Sequence, residues 1–285
     1  MMEYRRSMSR TPERIPVVRR VRAFARSSAV FAVFLLISSV AGASEGEDLR
    51  DRFGVFVDAG PHVIIQRAKG GVGTNFGVEH NKANIIASMT FRLGGGIKGP
   101  ELAGVWGRPR PVLWAAALIP LNAASTIGTK FVEGVVQTGQ RIDSSKFTLE
   151  YQTGGLVALG LEFEVPVFDG SISITPAFES LTLPTRYTGH VETKFSQGTN
   201  NHRLDHNTNI IQSFVGPALR LGAPTVVVRG VAIDFYLDAS LLLDVAGTHR
   251  AQTKLDPANG DRAKFTWETG SGLIQVGTGI QIRWP

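Results

Sequence analysis

The segment Val231-Ala-Ile-Asp-Phe-Tyr-Leu-Asp-Ala-Ser-Leu-Leu-Leu-Asp244 decides the fold. In it Val231, Ile233, Phe235, Leu237, Ala239, Leu241 and Leu243 alternate with Ala232, Asp234, Tyr236, Asp238, Ser240 and Leu242. A period of two is the mark of a β-strand with two different faces, because successive side chains leave the backbone in opposite directions. Length then decides what those faces meet. A strand of a soluble sheet typically has about five or six residues, whereas one that crosses a bilayer at a tilt needs about nine to eleven. The run from Val231 exceeds both. Aliphatics on one side, with carboxylates and small residues on the other, suit lipid outside and a polar interior.

The same pattern recurs along the chain. Val157, Leu159, Leu161, Phe163, Val165 and Val167 oppose Ala158, Gly160, Glu162, Glu164 and Pro166. Ile274, Val276, Thr278, Ile280, Ile282 and Trp284 oppose Gln275, Gly277, Gly279, Gln281 and Arg283, and Ala87, Met89, Phe91 and Leu93 oppose Ser88, Thr90, Arg92 and Gly94. No stretch after residue 43 repeats its apolar residues at helical spacing. The expected fold is all-β, a transmembrane antiparallel up-and-down β-barrel of about eight strands, over residues 44–285. Soluble lipocalin-like barrels carry the reverse polarity.

The strands are expected near 52–66, 84–96, 111–127, 155–167, 170–183, 208–222, 229–244 and 271–284. Long connections (67–83, 128–154, 184–207 and 245–270) then alternate with short ones. That is the parity of a barrel with both termini in the periplasm and its longer loops outside. The turn over 97–110 is longer than this scheme wants. Lys146 to Gln152 and Tyr187 to Phe195 are placed to prolong strands above the membrane or to form an extra pair, and ten strands is the alternative count.

Residues 1–43 read as an address. Eight arginines stand there against Glu3 and Glu13, so this segment carries the whole formal charge of +6 and leaves 22 basic and 22 acidic residues beyond it. A basic surface for nucleic acid therefore has no support. The charge-free run Ser27 to Ser44, apolar from Ala29 to Ile37, ends in Ala41-Gly42-Ala43. This is the order of a secretory signal peptide, with cleavage expected after Ala43. Met8 offers a second start, and a retained transmembrane helix is the competing reading. The absence of cysteine excludes disulfides, thiol nucleophiles and a lipoprotein anchor.

Gly279-Ile-Gln-Ile-Arg-Trp-Pro285 at the chain's end resembles the last strand of outer-membrane barrels, where alternating hydrophobics close on an aromatic. The overall pattern is similar to the small OmpA, OmpX and OmpW-like barrels. The resemblance implies that Gly279, Ile282 and Trp284 match the signal read by the barrel-assembly machinery. Pro285 after the aromatic and Gly277 at a position usually polar are departures from it.

The inward positions by parity include Arg92, Glu162, Glu164, Arg220, Asp234, Asp238 and Arg283, with both charge signs on several strands. The interior of an eight-stranded barrel is only wide enough for side chains, so these charges must pair. They are expected to form a structural lumen network; in a wider barrel they would line a pore. His202, Asp205 and His206 have a spacing that would bring two imidazoles to one metal on a helix, but their Asn- and Thr-rich surroundings read as a loop. His190 and Glu192 share a strand face as an acid and base pair might, with no serine in a nucleophile context. Gly70-Gly71-Val72-Gly73 and Gly94-Gly95-Gly96 lack the following Lys-Ser or Lys-Thr of a phosphate loop and read as turns. Trp284, Trp114 and Phe53 are expected to face outward in an aromatic girdle, while Tyr236 counts as inward.

The expectation is an integral outer-membrane protein of a Gram-negative bacterium with a structural or surface-interaction role. It would be a monomer without catalytic residues, metal or cofactor, contacting outer-membrane lipid and lipopolysaccharide. A small passive channel of porin type is the alternative, and a lipid- or lipopolysaccharide-modifying enzyme a more distant one.

Overall fold

The computed structural model describes residues 53–284 apart from 75–78, 104, 123–124, 132–139, 168–169, 196–200, 229–230, 246–248 and 256–261. Residues 1–43, read as a signal peptide, and the cleavage expected after Ala43 lie outside these residues. The chain forms β1 (Gly54–Thr74), β2 (Glu79–Lys98), β3 (Arg110–Pro120), β4 (Ser125–Phe131), β5 (Gln140–Tyr151), β6 (Gly154–Val167), β7 (Gly170–Phe195), β8 (Asn201–Val228), β9 (Val231–Asp244), β10 (His249–Leu255) and β11 (Arg262–Trp284). No helix occurs among the described residues.

Every pairing is antiparallel, and β1-β2-β3-β6-β7-β8-β9-β11 close into a ring where β11 meets β1, with Val55 opposite Trp284. The eight strands expected from the alternation are the eight of the ring. The three further strands add no members to it. β4, β5 and β10 precede or follow β3, β6 and β9 across short interruptions; β4 pairs with β5, β5 with the prolonged end of β7, and β10 with that of β11.

At the level of the ring, the outward side chains are aliphatic. Leu93, Leu159, Leu237, Leu241, Ile274 and Ile280 are all exposed, while Arg92, Ala158, Tyr236, Leu242, Gln275 and Gln281 on the alternate positions are buried. About eleven residues per strand at about 3.3 Å each, tilted near 45°, span about 25 Å, the height of a membrane barrel's apolar band.

Beyond that band the structure departs from the expected long loops. β1 and β2 stay paired as far as Gly73 and Glu79, and β7 and β8 as far as Lys194 and Asn201. Parity persists but polarity inverts. On β7 Thr185, Tyr187, Gly189 and Val191 are buried, and Arg186 is exposed between them; on β11 Ala263, Phe265 and Trp267 are buried while Lys264 and Glu268 are exposed. Water surrounds this part, so polar residues turn out and apolar residues turn in, as in any soluble sheet. The hydrogen-bonded order here is β4-β5-β7-β8 on one side and β2-β1-β11-β10 on the other. The barrel thus continues upward as two four-stranded sheets enclosing Phe147, Leu149, Val191, Val72, Phe265 and Trp267.

Candidate functional site in the barrel interior

Inward positions of β1, β2, β8 and β9 converge at mid-barrel. Arg92 donates through Nη1 to Asp238 Oδ2 at 2.7 Å and lies 3.4 Å from Asp58 Oδ2 through Nη2. Arg220 reaches Asp58 Oδ2 at 2.8 Å, Asp238 Oδ2 at 3.4 Å and Gln281 Oε1 at 3.3 Å. Its guanidinium stands 4.4 Å from the centroid of Tyr236 and 4.9 Å from that of Trp114. His62 faces the carbonyl of Gly60 with Nδ1 at 3.2 Å and Asp238 Oδ1 with Nε2 at 2.8 Å. Buried Glu179 on β7 accepts from Ser240 at 3.5 Å beside this cluster.

The seven inward residues singled out in the sequence thus do not form one network. Arg92, Arg220 and Asp238 meet in the belt. Glu162 pairs with buried Lys98, and Asp234 pairs with Arg283 at 3.1 Å, both nearer the end where the short connections lie. Glu164 is exposed, because β6 has by then run past the closed interior. Asp58, His62, Lys98 and Glu179 are members that the sequence reading missed. The same parity count on β1 and on β7 would have found Asp58, His62 and Glu179; the Gly60-Pro61 pair hid the alternation of β1.

Trp114 corrects another expectation. It is buried inside against Arg220, since β3 turns its even positions inward, while Trp284 and Phe53 do face outward. Gly279 and Gly277 are both forced by the interior. A Cβ on Gly279 would strike the Ala59 carbonyl and lie 2.5 Å from the Tyr236 hydroxyl. Gly277 stands opposite His62 in the β1–β11 register, where a Cβ would fall inside the imidazole. Replacing Gly277 with valine is therefore expected to push His62 off Asp238 and to cost about 1–3 kcal/mol, as overpacking does. Thermal loss of the folded band on a gel would measure it.

Above the belt the lumen is filled twice more. Tyr151 donates to Gln66 Oε1 at 2.7 Å, and Gln212 bridges the Tyr187 hydroxyl at 2.9 Å and Thr269 at 3.1 Å. Higher still, Phe265 and Trp267 stack at 5.9 Å, with the His206 ring 5.1 Å from Trp267. His206 is buried in this aromatic core. Residues four apart on a strand lie about 13 Å apart, so the spacing of His202 and His206 cannot close on one metal ion. No group of metal-ligating side chains occurs among the described residues. His190 meets Asp205 across β7 and β8 on the outer wall, and Glu192 accepts from Ser144 at 3.3 Å.

A closed antiparallel ring with aliphatics outside and paired charges inside is the architecture of a membrane-spanning β-barrel, in which every backbone group at lipid level bonds to a neighbouring strand. No family model and no curated protein matches the chain significantly. Among solved structures it is similar to Neisserial surface protein A, at 10% identity and TM-score 0.26 over 78% of this chain and 96% of that one. It is also similar to the outer membrane protease OmpT from Escherichia coli, at 8% and 0.33 over 85% and 100%. A third is Ail, the attachment invasion locus protein of Yersinia pestis, at 12% and 0.23 over 79% and 99%. At such values no residue role passes from them to this chain.

Proposed function

We propose that the protein is an integral barrel of a Gram-negative outer membrane, a closed scaffold whose raised upper sheets serve surface interaction. The observation that carries this reading is the double closure of one lumen, by the ion-pair belt at membrane level and by the aromatic core above it. A passive channel needs a continuous polar path, which Phe147, Phe265 and Trp267 interrupt. The aliphatic outer wall supports residence in lipid, with lipopolysaccharide and phospholipid as its surroundings. Gly279, Ile282 and Trp284 would present the final strand to the assembly machinery. The barrel acts as a monomer, without cofactor or nucleic acid.

Heat modifiability of the full chain in outer-membrane fractions tests the membrane reading, with a mature mass beginning at Ser44 as the export check. Planar bilayers test the closure: the purified barrel is expected to give no conductance steps, and a stepwise current would restore the channel. For the enzyme alternative, the His190 and Asp205 pair offers an acid and base. Lipid release is expected to be nil in the parent and unchanged in His190→Ala; release abolished by that change would make the protein an enzyme.

A further inference from the structure

We propose that the turn 105–108, between β2 and β3, forms a lipid anchor that sets Trp106 into the headgroup region of the periplasmic phospholipid leaflet. This rests on the membrane reading above. The connections after β6 and β8 are two residues each, whereas the one between β2 and β3 has eleven. It is also ordered from within. Gly99 donates to the Pro111 carbonyl at 2.7 Å, Leu102 to that of Pro109 at 3.0 Å, and Arg108 to that of Val105 at 3.0 Å. The last bond closes a tight turn with Trp106 and Gly107 at its centre. Gly107 has φ 74°, the sign that glycine adopts without cost at the third position of such a turn.

The direction of the turn identifies what it meets. A Cβ on Gly107 would lie 3.1 Å from the ring of Phe163, and Phe163 belongs to the outward series of β6 between exposed Leu161 and Val165. The turn therefore folds over the outer wall and not across the lumen mouth. Its tip continues the lipid-facing band at the end of the barrel where Phe53 and Trp284 also face outward. Trp106 is 91% exposed, and Leu102 and Val105 are exposed beside it. In water such a tip is unfavourable. An indole at the headgroup level buries its ring while keeping its N–H hydrated, and exposed Arg108 next to it is placed to meet lipid phosphate. Glu101, partly buried on the same turn, is its one acidic side chain.

The full chain, folded into phosphatidylethanolamine and phosphatidylglycerol vesicles with acyl chains brominated near the headgroup, gives the test. Tryptophan emission is compared between the parent and Trp106→Ala, a surface change checked for folding by heat modifiability. Trp114 and Trp267 lie inside the barrel, and Trp284 on the outer wall is the internal reference. The expected difference spectrum is blue-shifted, quenched by bromine about as strongly as the emission left by Trp284, and protected from aqueous iodide. A red-shifted difference spectrum that iodide quenches and bromine does not, with Trp284 still bromine-sensitive, would overturn the anchor and leave the tip as a contact for a periplasmic protein. Insensitivity of Trp284 as well, with protein that fails to float with the vesicles, would remove the membrane reading itself.

Discussion

Replacement of Arg92 by methionine is expected to lower the stability of the folded barrel by about 3–5 kcal/mol, the cost of stranding buried carboxylates when one partner of an ion pair is removed. Arg92 is fully buried and touches both Asp58 and Asp238. Methionine nearly keeps its volume, so the loss reports charge and hydrogen bonding, not a cavity. Arg220 and His62 remain to hold the same acids, which keeps the effect finite. The temperature at which the compact gel band disappears should fall by roughly 10 °C on the scale of 2–4 °C per kcal/mol for a chain of this size. Combining Arg92→Met with Asp238→Asn should recover part of the loss, because the second change removes one of the orphaned charges. Additive losses in the double variant would mean that the two residues are not coupled, and the belt would then be a set of independent contacts.

The second large effect tests the outer wall. Leu237→Arg lies near the middle of the outward face of β9, where Leu237 is exposed between Phe235 and Ala239. In a bilayer an arginine at the midplane of a barrel's lipid face costs about 2–4 kcal/mol, and about 0–1 kcal/mol near the rim. Val245→Arg, just past the end of the same strand, is therefore expected to be close to neutral. On a water-facing wall both changes would be surface substitutions within about 0.5 kcal/mol. Unfolding in lipid vesicles by denaturant would separate these outcomes, and equal small effects at the two sites would place the aliphatic wall in water.

The ring was legible wherever one residue type dominated each face over a full crossing. The Val231, Val157 and Ile274 runs give the correct sides for Asp234, Asp238, Glu162 and Arg283. The upper sheets were legible only in part, although inward and outward positions still alternate along most of β7 and β11 there. Along β11 Ala263, Phe265, Trp267 and Thr269 are inward above and Leu273, Gln275, Gly277, Gly279 and Gln281 below, with Ser271 exposed at the bulge between them, and the inward series passes from mostly apolar to mostly polar or glycine. Where the strand leaves lipid for water the apolar series changes face, so the alternation looks as if it stops. Of the two segments expected to prolong strands or to form an extra pair, Tyr187 to Phe195 prolongs β7, and Lys146 to Tyr151 belongs to the separate strand β5. The glycines opposite Phe147 and Phe265, at Gly70 and Gly189, mark the close approach of the two sheets and cannot be interpreted before the partner strand is known.

The sequence by itself located the eight strands of the ring, the side of the sheet that most residues occupy at membrane level, and the inverted polarity of the ring. These follow from side-chain direction, which is a local property with a period of two. Which charges meet was decided only by the tertiary structure. Arg92 and Asp238 are 146 residues apart and their strands are not neighbours in the ring, so their contact depends on the stagger and tilt with which eight strands close. The same closure sends Lys98 to Glu162, leaves Glu164 outside, and folds the turn with Trp106 onto the outer wall, because each of these depends on how far one strand is shifted against the next.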